Sequence, residues 1–137
     1  MNGTLFEKHL LAAEIEAGLE HVLAAPKADG RLEMIVRRPA VNKREVTDAG
    51  VLDRENGLIG DNWFHRGSSR TDNRKGHPEM QLNLMNYRYA KLIADSRERV
   101  PLAGDQLFVD LDLSEENVPT GTRMSIGEAI IEVTSIP

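Results

Sequence analysis

The chain has 137 residues, 40% of them hydrophobic and 28% charged, which suits one soluble globular domain and excludes a disordered or membrane-spanning class. Its net charge of −5 argues against a dedicated nucleic-acid binder, whose basic footprint outweighs its acids. With no cysteine, disulfides, thiolate metal sites and cysteine nucleophiles are excluded from this stretch of polypeptide.

Residues Thr4 to Ala25 read as an amphipathic helix: Leu5, Leu11, Ile15, Leu19 and Val22 share one face, Glu7, Lys8, Glu14, Glu16 and Glu20 fill the others, and Pro26 stops the pattern. His9 and His21 lie on it as exposed or capping residues. Arg31 to Arg38 brings Leu32, Met34, Ile35 and Val36 ahead of Pro39 and predicts a strand, with a weaker one across Lys43 to Leu52. Glu79 to Leu84 alternates apolar and polar residues, as a half-buried strand does. Asn86 is placed to cap a short helix from Tyr87 to about Arg97 that packs Tyr89, Leu92 and Ile93 inward. Gln106 to Leu113 gives the clearest strand, with Leu107, Val109, Leu111 and Leu113 on one face and Gln106, Phe108, Asp110 and Asp112 on the other. Gly127-Glu128, between Arg123 to Ile126 and Ala129 to Val133, predicts a type II′ hairpin. Two helices and roughly six strands without βαβ alternation predict a mostly β, largely antiparallel structure with peripheral helices, α+β by helix content.

The stretch from Asn56 to Leu84 carries the functional signal. Gly57-Leu58-Ile59-Gly60-Asp61 is a backbone instruction, because glycine reaches positive φ and a Gly-x-x-Gly-Asp step marks a forced turn. Arg66, Arg70, Arg74 and Lys75 follow, flanked by His65 and His77 and opposed only by Asp72, a local excess of about +3. Gly67, Ser68, Ser69 and Gly76 argue against a helix there, so the segment is either a solvated loop or one that folds back to converge its arginines on a phosphate or carboxylate.

Other constellations are weaker. The acids from Asp105 to Glu116 lack the glycine and terminal glutamate of a calcium loop and read instead as an acidic strand face that discourages edge pairing. Ser68 and Ser69 lack a nucleophile elbow, and the Gly-x-x-Gly step lacks the Lys-Ser/Thr of a P-loop.

Two stretches together resemble the MOSC family, the domain at the C-terminus of molybdenum cofactor sulfurases. One is Gly57-Leu58-Ile59-Gly60-Asp61 with the basic loop and the strand after it; the other is the run from Val118-Pro119-Thr120-Gly121 through Ile126-Gly127-Glu128-Ala129 to Val133-Thr134, with Glu116-Asn117 ahead of it. The resemblance implies an antiparallel β-barrel over residues 27–137, preceded by the helix of residues 1–26. It implies molybdenum cofactor (molybdopterin) binding, with sulfur-carrier chemistry or reduction of N-hydroxylated substrates, and a pyridoxal-phosphate-dependent sulfur donor enzyme as a partner. Gly57, Gly60, Asp61, Arg66, Arg70, Arg74, Lys75 and His77 are the expected cofactor-binding residues, with Asp61 fixing the loop by accepting backbone N–H bonds. The alternative is a non-catalytic anion-binding module built on the basic loop of residues 65–77.

The family's cysteine after the last strand has no counterpart here, so the chain is expected to be incomplete at its C-terminus and to self-associate through an open strand edge at Ala129 to Val133, the alternative being a degenerate member that keeps the fold without the reaction. No apolar run approaches membrane-spanning length and no secretory leader opens the chain, so a cytoplasmic location without a membrane partner is expected.

Overall fold

The computed structural model describes residues 12–40, 42–63 and 78–135. Its centre is β6 (Leu107–Asp110), in which Leu107, Phe108 and Val109 are all buried. β1 (Arg31–Arg37) pairs antiparallel with it, and β2 (Glu45–Thr47) pairs antiparallel with the far side of β1. On its other side β6 pairs in parallel with β5 (Leu84–Asn86), completing a four-stranded sheet in the order β2-β1-β6-β5. Two ribbons stand apart from this sheet: β3 (Leu52–Asp53) with β4 (Gly57–Leu58), and β7 (Arg123–Ile126) with β8 (Ala129–Glu132). With α1 (Ala12–Leu23), α2 (Tyr87–Ala94) and 3₁₀ segments at Pro78–Met80 and Arg97–Ala103, the class is α+β. Among the described residues the strands form three separate sheets.

The central sheet is buried on both faces, which explains why β6 has no polar side. Met34, Val36 and Phe108 point to one face, where Ala90 of α2 and Val100 of the second 3₁₀ segment cover them. Ile35 and Leu107 point to the other, against Leu58 of β4, with Leu52, Leu84 and Ile126 around them. Each large side chain so buried contributes roughly 1.5–3 kcal/mol. One residue of β1, Glu33, bulges out of register between Leu32 and Met34. Its carbonyl is not orphaned: Arg97 Nη2 donates to it at 2.9 Å, while Arg97 Nη1 donates to the Tyr87 hydroxyl at 2.9 Å.

Several expectations hold. Of the helix expected over Thr4 to Ala25, the structure shows Ala12–Leu23, while Leu5, His9 and Leu11 lie outside the described residues. Within α1 the inward stripe is Ile15, Gly18, Leu19 and Val22, and the Leu92 side chain of α2 occupies the space a Cβ on Gly18 would need. Asn86 caps α2, its side chain accepting from Tyr89 N at 3.0 Å. Gly127 has φ +58° and Glu128 stays out of the positive-φ region, as a type II′ turn requires.

Others are corrected. The strand expected at Glu79 to Leu84 begins only at Leu84, because Pro78–Met80 is a 3₁₀ turn whose Glu79 O accepts from Thr134 Oγ1, and pairing with β6 starts only where Asn83 O accepts from the amides of Gln106 and Leu107. The second helix stops at Ala94, where Asp95 takes a left-handed conformation, rather than near Arg97. Its inward residue is Ala90, while Tyr89 and Ile93 are 41% and 45% exposed. The sheet is also not purely antiparallel: α2 and the 3₁₀ segment carry the chain over one face so that β6 returns parallel to β5, a βαβ unit the strand count concealed. The expected strand Gln106 to Leu113 shortens to four residues and runs between two neighbours instead of presenting an acidic outer face. Asp110 pairs with Arg88 at 2.7 Å and Asp112 with Lys27 at 2.7 Å.

Candidate functional site

β1 ends at Arg37 because Pro39 removes a ladder donor two residues on. What holds the chain there is the Gly57-Leu58-Ile59-Gly60-Asp61 step. Asp61 N donates to Leu58 O at 3.0 Å, closing a turn whose third residue, Gly60, has φ +93°, the geometry a type II turn reserves for glycine. Gly57 also needs positive φ, at +71°. Turned this way, Asp61 reaches back to the strand end. Its Oδ1 accepts from Arg38 N at 2.7 Å and its Oδ2 from Trp63 N at 2.9 Å, while Asn62 N donates to Arg38 O at 2.8 Å. The role expected for Asp61, fixing the loop through backbone N–H groups, is what these bonds describe.

Gln106 braces the same corner from beneath. Only 1% exposed, it accepts from Asn83 N at 2.8 Å through Oε1 and extends Nε2 to Asp61 Oδ2 at 3.4 Å. Its backbone carbonyl accepts from Val36 N at 2.8 Å. The residue before a central strand is therefore the polar link between β1, the approach to β5 and the Asp61 turn.

Two arginines project from this corner. The Arg37 side chain lies across Gly60, its Cδ 2.9 Å and its Nη1 3.0 Å from where a Cβ would stand, so only glycine admits it in this pose. Its Nη2 pairs with Glu45 of β2. The Nε of Arg37, the Nε of Arg38 and the Oδ1 of Asn62 are buried and have no hydrogen-bond partner among the described residues. Such orphaned atoms are rare in folded proteins and call for an explanation. Asp105, half-buried on the chain leading into Gln106, has its carboxyl pushed above the ordinary carboxylate value by burial, with the positive charge of Arg38 opposing the rise.

Of the residues expected at the site, Gly57, Gly60 and Asp61 come together here, and Gly57 and Gly60 act through the backbone. Arg66, Arg70, Arg74, Lys75 and His77 lie outside the described residues. Arg37, Arg38, Asn62 and Gln106 were not expected. No sequence signal singled out Arg37, Arg38 or Asn62, since what marks them is the burial of their polar atoms. Gln106 looked like one more outward polar residue of an alternating strand.

Two grooves on the helical side carry less chemistry. One, of about 370 Å³, is lined by His21, Glu33, Tyr87, Arg88, Lys91 and Asp110 among others. Its arginine is already engaged, donating to Asp110 Oδ1 at 2.7 Å and to His21 O at 2.9 Å. The other, of about 490 Å³, is apolar, with Ile15, Met85, Tyr89, Ile93 and Leu102 along it. No group of three or more His, Cys, Asp or Glu residues that could hold a metal ion occurs among the described residues. No helix among them is long and apolar enough to cross a membrane. No family model matches the chain, and neither the curated proteins nor the solved structures contain a significant match to it.

Proposed function

We propose that this domain binds a phosphate-bearing anion at the Arg37–Arg38 corner, and that the ligand is the phosphate end of a pterin cofactor of the molybdenum type. The observation that carries the reading is the pair of buried, unpartnered arginine Nε donors beside a glycine turn locked by Asp61. Guanidinium N–H groups without acceptors match the oxygens of a phosphate, and a half-buried setting strengthens such charge-assisted bonds. Trp63 is 7% exposed and its amide is held by Asp61, so the backbone is fixed at this point beside the corner.

The fit is to the phosphate and not to the metal. A molybdenum centre of this kind takes a soft thiolate, and these 137 residues include no cysteine, so no redox or sulfur-transfer step is assigned to this chain. That favours a second reading, a non-catalytic anion-binding module, over any catalytic role. In the first reading the three sheets are staves of one MOSC-type β-barrel, and a crystal structure of the full chain should then show a continuous ring of paired strands.

Calorimetric titration with inorganic phosphate tests the site. Wild-type protein should bind, Arg37→Gln/Arg38→Gln should lose at least about tenfold in affinity, as two charge-assisted bonds predict, and Arg123→Gln, whose guanidinium is paired with Glu132, should bind as wild type. Phosphate binding that survives in the double variant would refute the assignment. Pterin released from protein made in molybdate-supplied cells separates the two readings: present in wild type and lost from the double variant for the first, absent from both for the second.

A further inference from the structure

The groove of about 370 Å³ on the helical side opens at the carboxyl ends of the two parallel strands. Tyr87 and Arg88, which begin α2 directly after β5, and Asp110, which ends β6, all line it. Sheets with parallel strands hold small ligands at this end, in the crevice beside the helix that follows. The volume is at the small end of the roughly 300–1,000 Å³ of small-molecule sites.

A further wall comes from β1. Leu32 pairs with Val109, so the residue after it, Glu33, lies beside the end of β6, where it bulges out of the ladder ahead of Met34. Strict alternation would set Glu33 on the opposite face from Met34, which packs against Ala90 of α2. The bulge instead brings Glu33 to the helical side, where it lines the groove, and re-aiming a side chain beside a site is a use bulges serve.

Two opposite charges in this groove are left over. Arg88 is engaged by Asp110 at 2.7 Å and by His21 O at 2.9 Å, and the Glu33 carbonyl by Arg97. The Glu33 carboxylate and the Lys91 ammonium have no hydrogen-bond or ion-pair partner among the described residues, and they stand too far apart to pair with each other. Gly18, Leu92 and the Tyr87 ring supply apolar surface in the same groove.

We infer that this groove is a second binding site, for a small zwitterion of the α-amino acid class whose ammonium pairs with Glu33, whose carboxylate pairs with Lys91, and whose apolar side chain lies against Leu92 and Tyr87. It shares no residue with the Arg37–Arg38 corner and does not depend on the reading above. A simple anion drawn to Lys91 also meets the negative charge of Glu33, and a simple amine drawn to Glu33 meets the positive charge of Lys91. Only a ligand that carries both charges satisfies both groups. Glu33 is half-buried and contributes the stronger contact, while water competes more at the exposed Lys91.

The test is an NMR titration of the full ¹⁵N-labelled chain, at neutral pH and fixed ionic strength, read at the amides of Glu33, Tyr87 and Lys91. The probes are leucine, 4-methylpentanoate, which is leucine without its ammonium, and isopentylamine, which is leucine without its carboxylate. Wild type should bind leucine about tenfold more tightly than 4-methylpentanoate and about threefold more tightly than isopentylamine. Glu33→Gln keeps the side-chain length and the carbonyl that Arg97 holds, and it should erase the preference over 4-methylpentanoate. Lys91→Gln should erase the preference over isopentylamine. No shift with leucine, or a single-charge analogue that binds as tightly as leucine, overturns the inference. Preferences that survive unchanged in both variants also overturn it, since the zwitterion would then sit elsewhere.

Discussion

Replacing Asp61 by Asn removes one negative charge and turns one acceptor into a donor while changing almost nothing in shape. The carboxylate holds Arg38 N at 2.7 Å through Oδ1 and Trp63 N at 2.9 Å through Oδ2, with Gln106 Nε2 more distant at 3.4 Å. An amide has one oxygen, so whichever way it turns, one of the two backbone N–H groups faces an NH₂. A hydrogen bond to a charged acceptor contributes roughly 1.5–3 kcal/mol, and the long Gln106 contact adds little. The expected loss is therefore about 2 kcal/mol, well inside the 5–15 kcal/mol that holds a domain folded. With a urea m value of roughly 2 kcal/mol/M the unfolding midpoint should fall by about 1 M. Because Arg38 is positioned through this carboxylate, phosphate affinity should fall as well, although Asp61 touches no ligand. An Asp61→Asn midpoint within about 0.2 M of wild type, together with unchanged phosphate affinity, would refute the claim that this residue locks the corner.

Three further outcomes follow from the same geometry. Gly60→Ala should cost about 1–2 kcal/mol from its φ of +93° alone, and a double-mutant cycle with Arg37→Ala, read by urea denaturation, should show the cost shrinking once the side chain crossing Gly60 is gone. Asn86→Ala removes the α2 cap and also the Asn86 Nδ2 bond to Leu111 O at 2.9 Å, so Tm should drop by about 6 °C by calorimetry while phosphate affinity stays unchanged. For Asp105, burial raises the carboxyl in the folded state, so folding favours the protonated form and its contribution is fully present below the ordinary value of 3.8 and is lost as pH rises through the raised one. Asp105→Asn should therefore gain in Tm on wild type as pH climbs above about 4, and an advantage that shrinks with rising pH would contradict the sign.

What could be read beforehand divides along physical lines. Local backbone chemistry was legible: the glycines at 57, 60 and 127 take the positive φ their turns need, Asn86 caps its helix, and Asp61 binds backbone amides. Such signals depend only on neighbours in sequence. Tertiary burial was not legible. Phe108 looked like the outward member of an alternating strand and is fully buried, because β6 is covered on both faces by elements distant in sequence. Tyr89 and Ile93 looked inward, but α2 turns Ala90 to the sheet and leaves them 41% and 45% exposed. At the site, the basic run from Arg66 to Lys75 stood out by composition alone. Arg37, Arg38 and Asn62 did not, because an arginine becomes informative only when its Nε is buried without an acceptor, and that is a property of packing.

The measurement closest to the central claim reads those donors directly. In a ¹⁵N-labelled sample the arginine Nε–Hε groups give separate NMR signals, and inorganic phosphate can be titrated in at constant ionic strength. The signals of Arg37 and Arg38 should shift and saturate together with the amide of Asn62, while those of Arg88 and Arg123, already paired with Asp110 and Glu132, stay in place. If Arg37 and Arg38 do not respond, or if the response is confined to Arg88, the corner is not the anion site and the account is wrong.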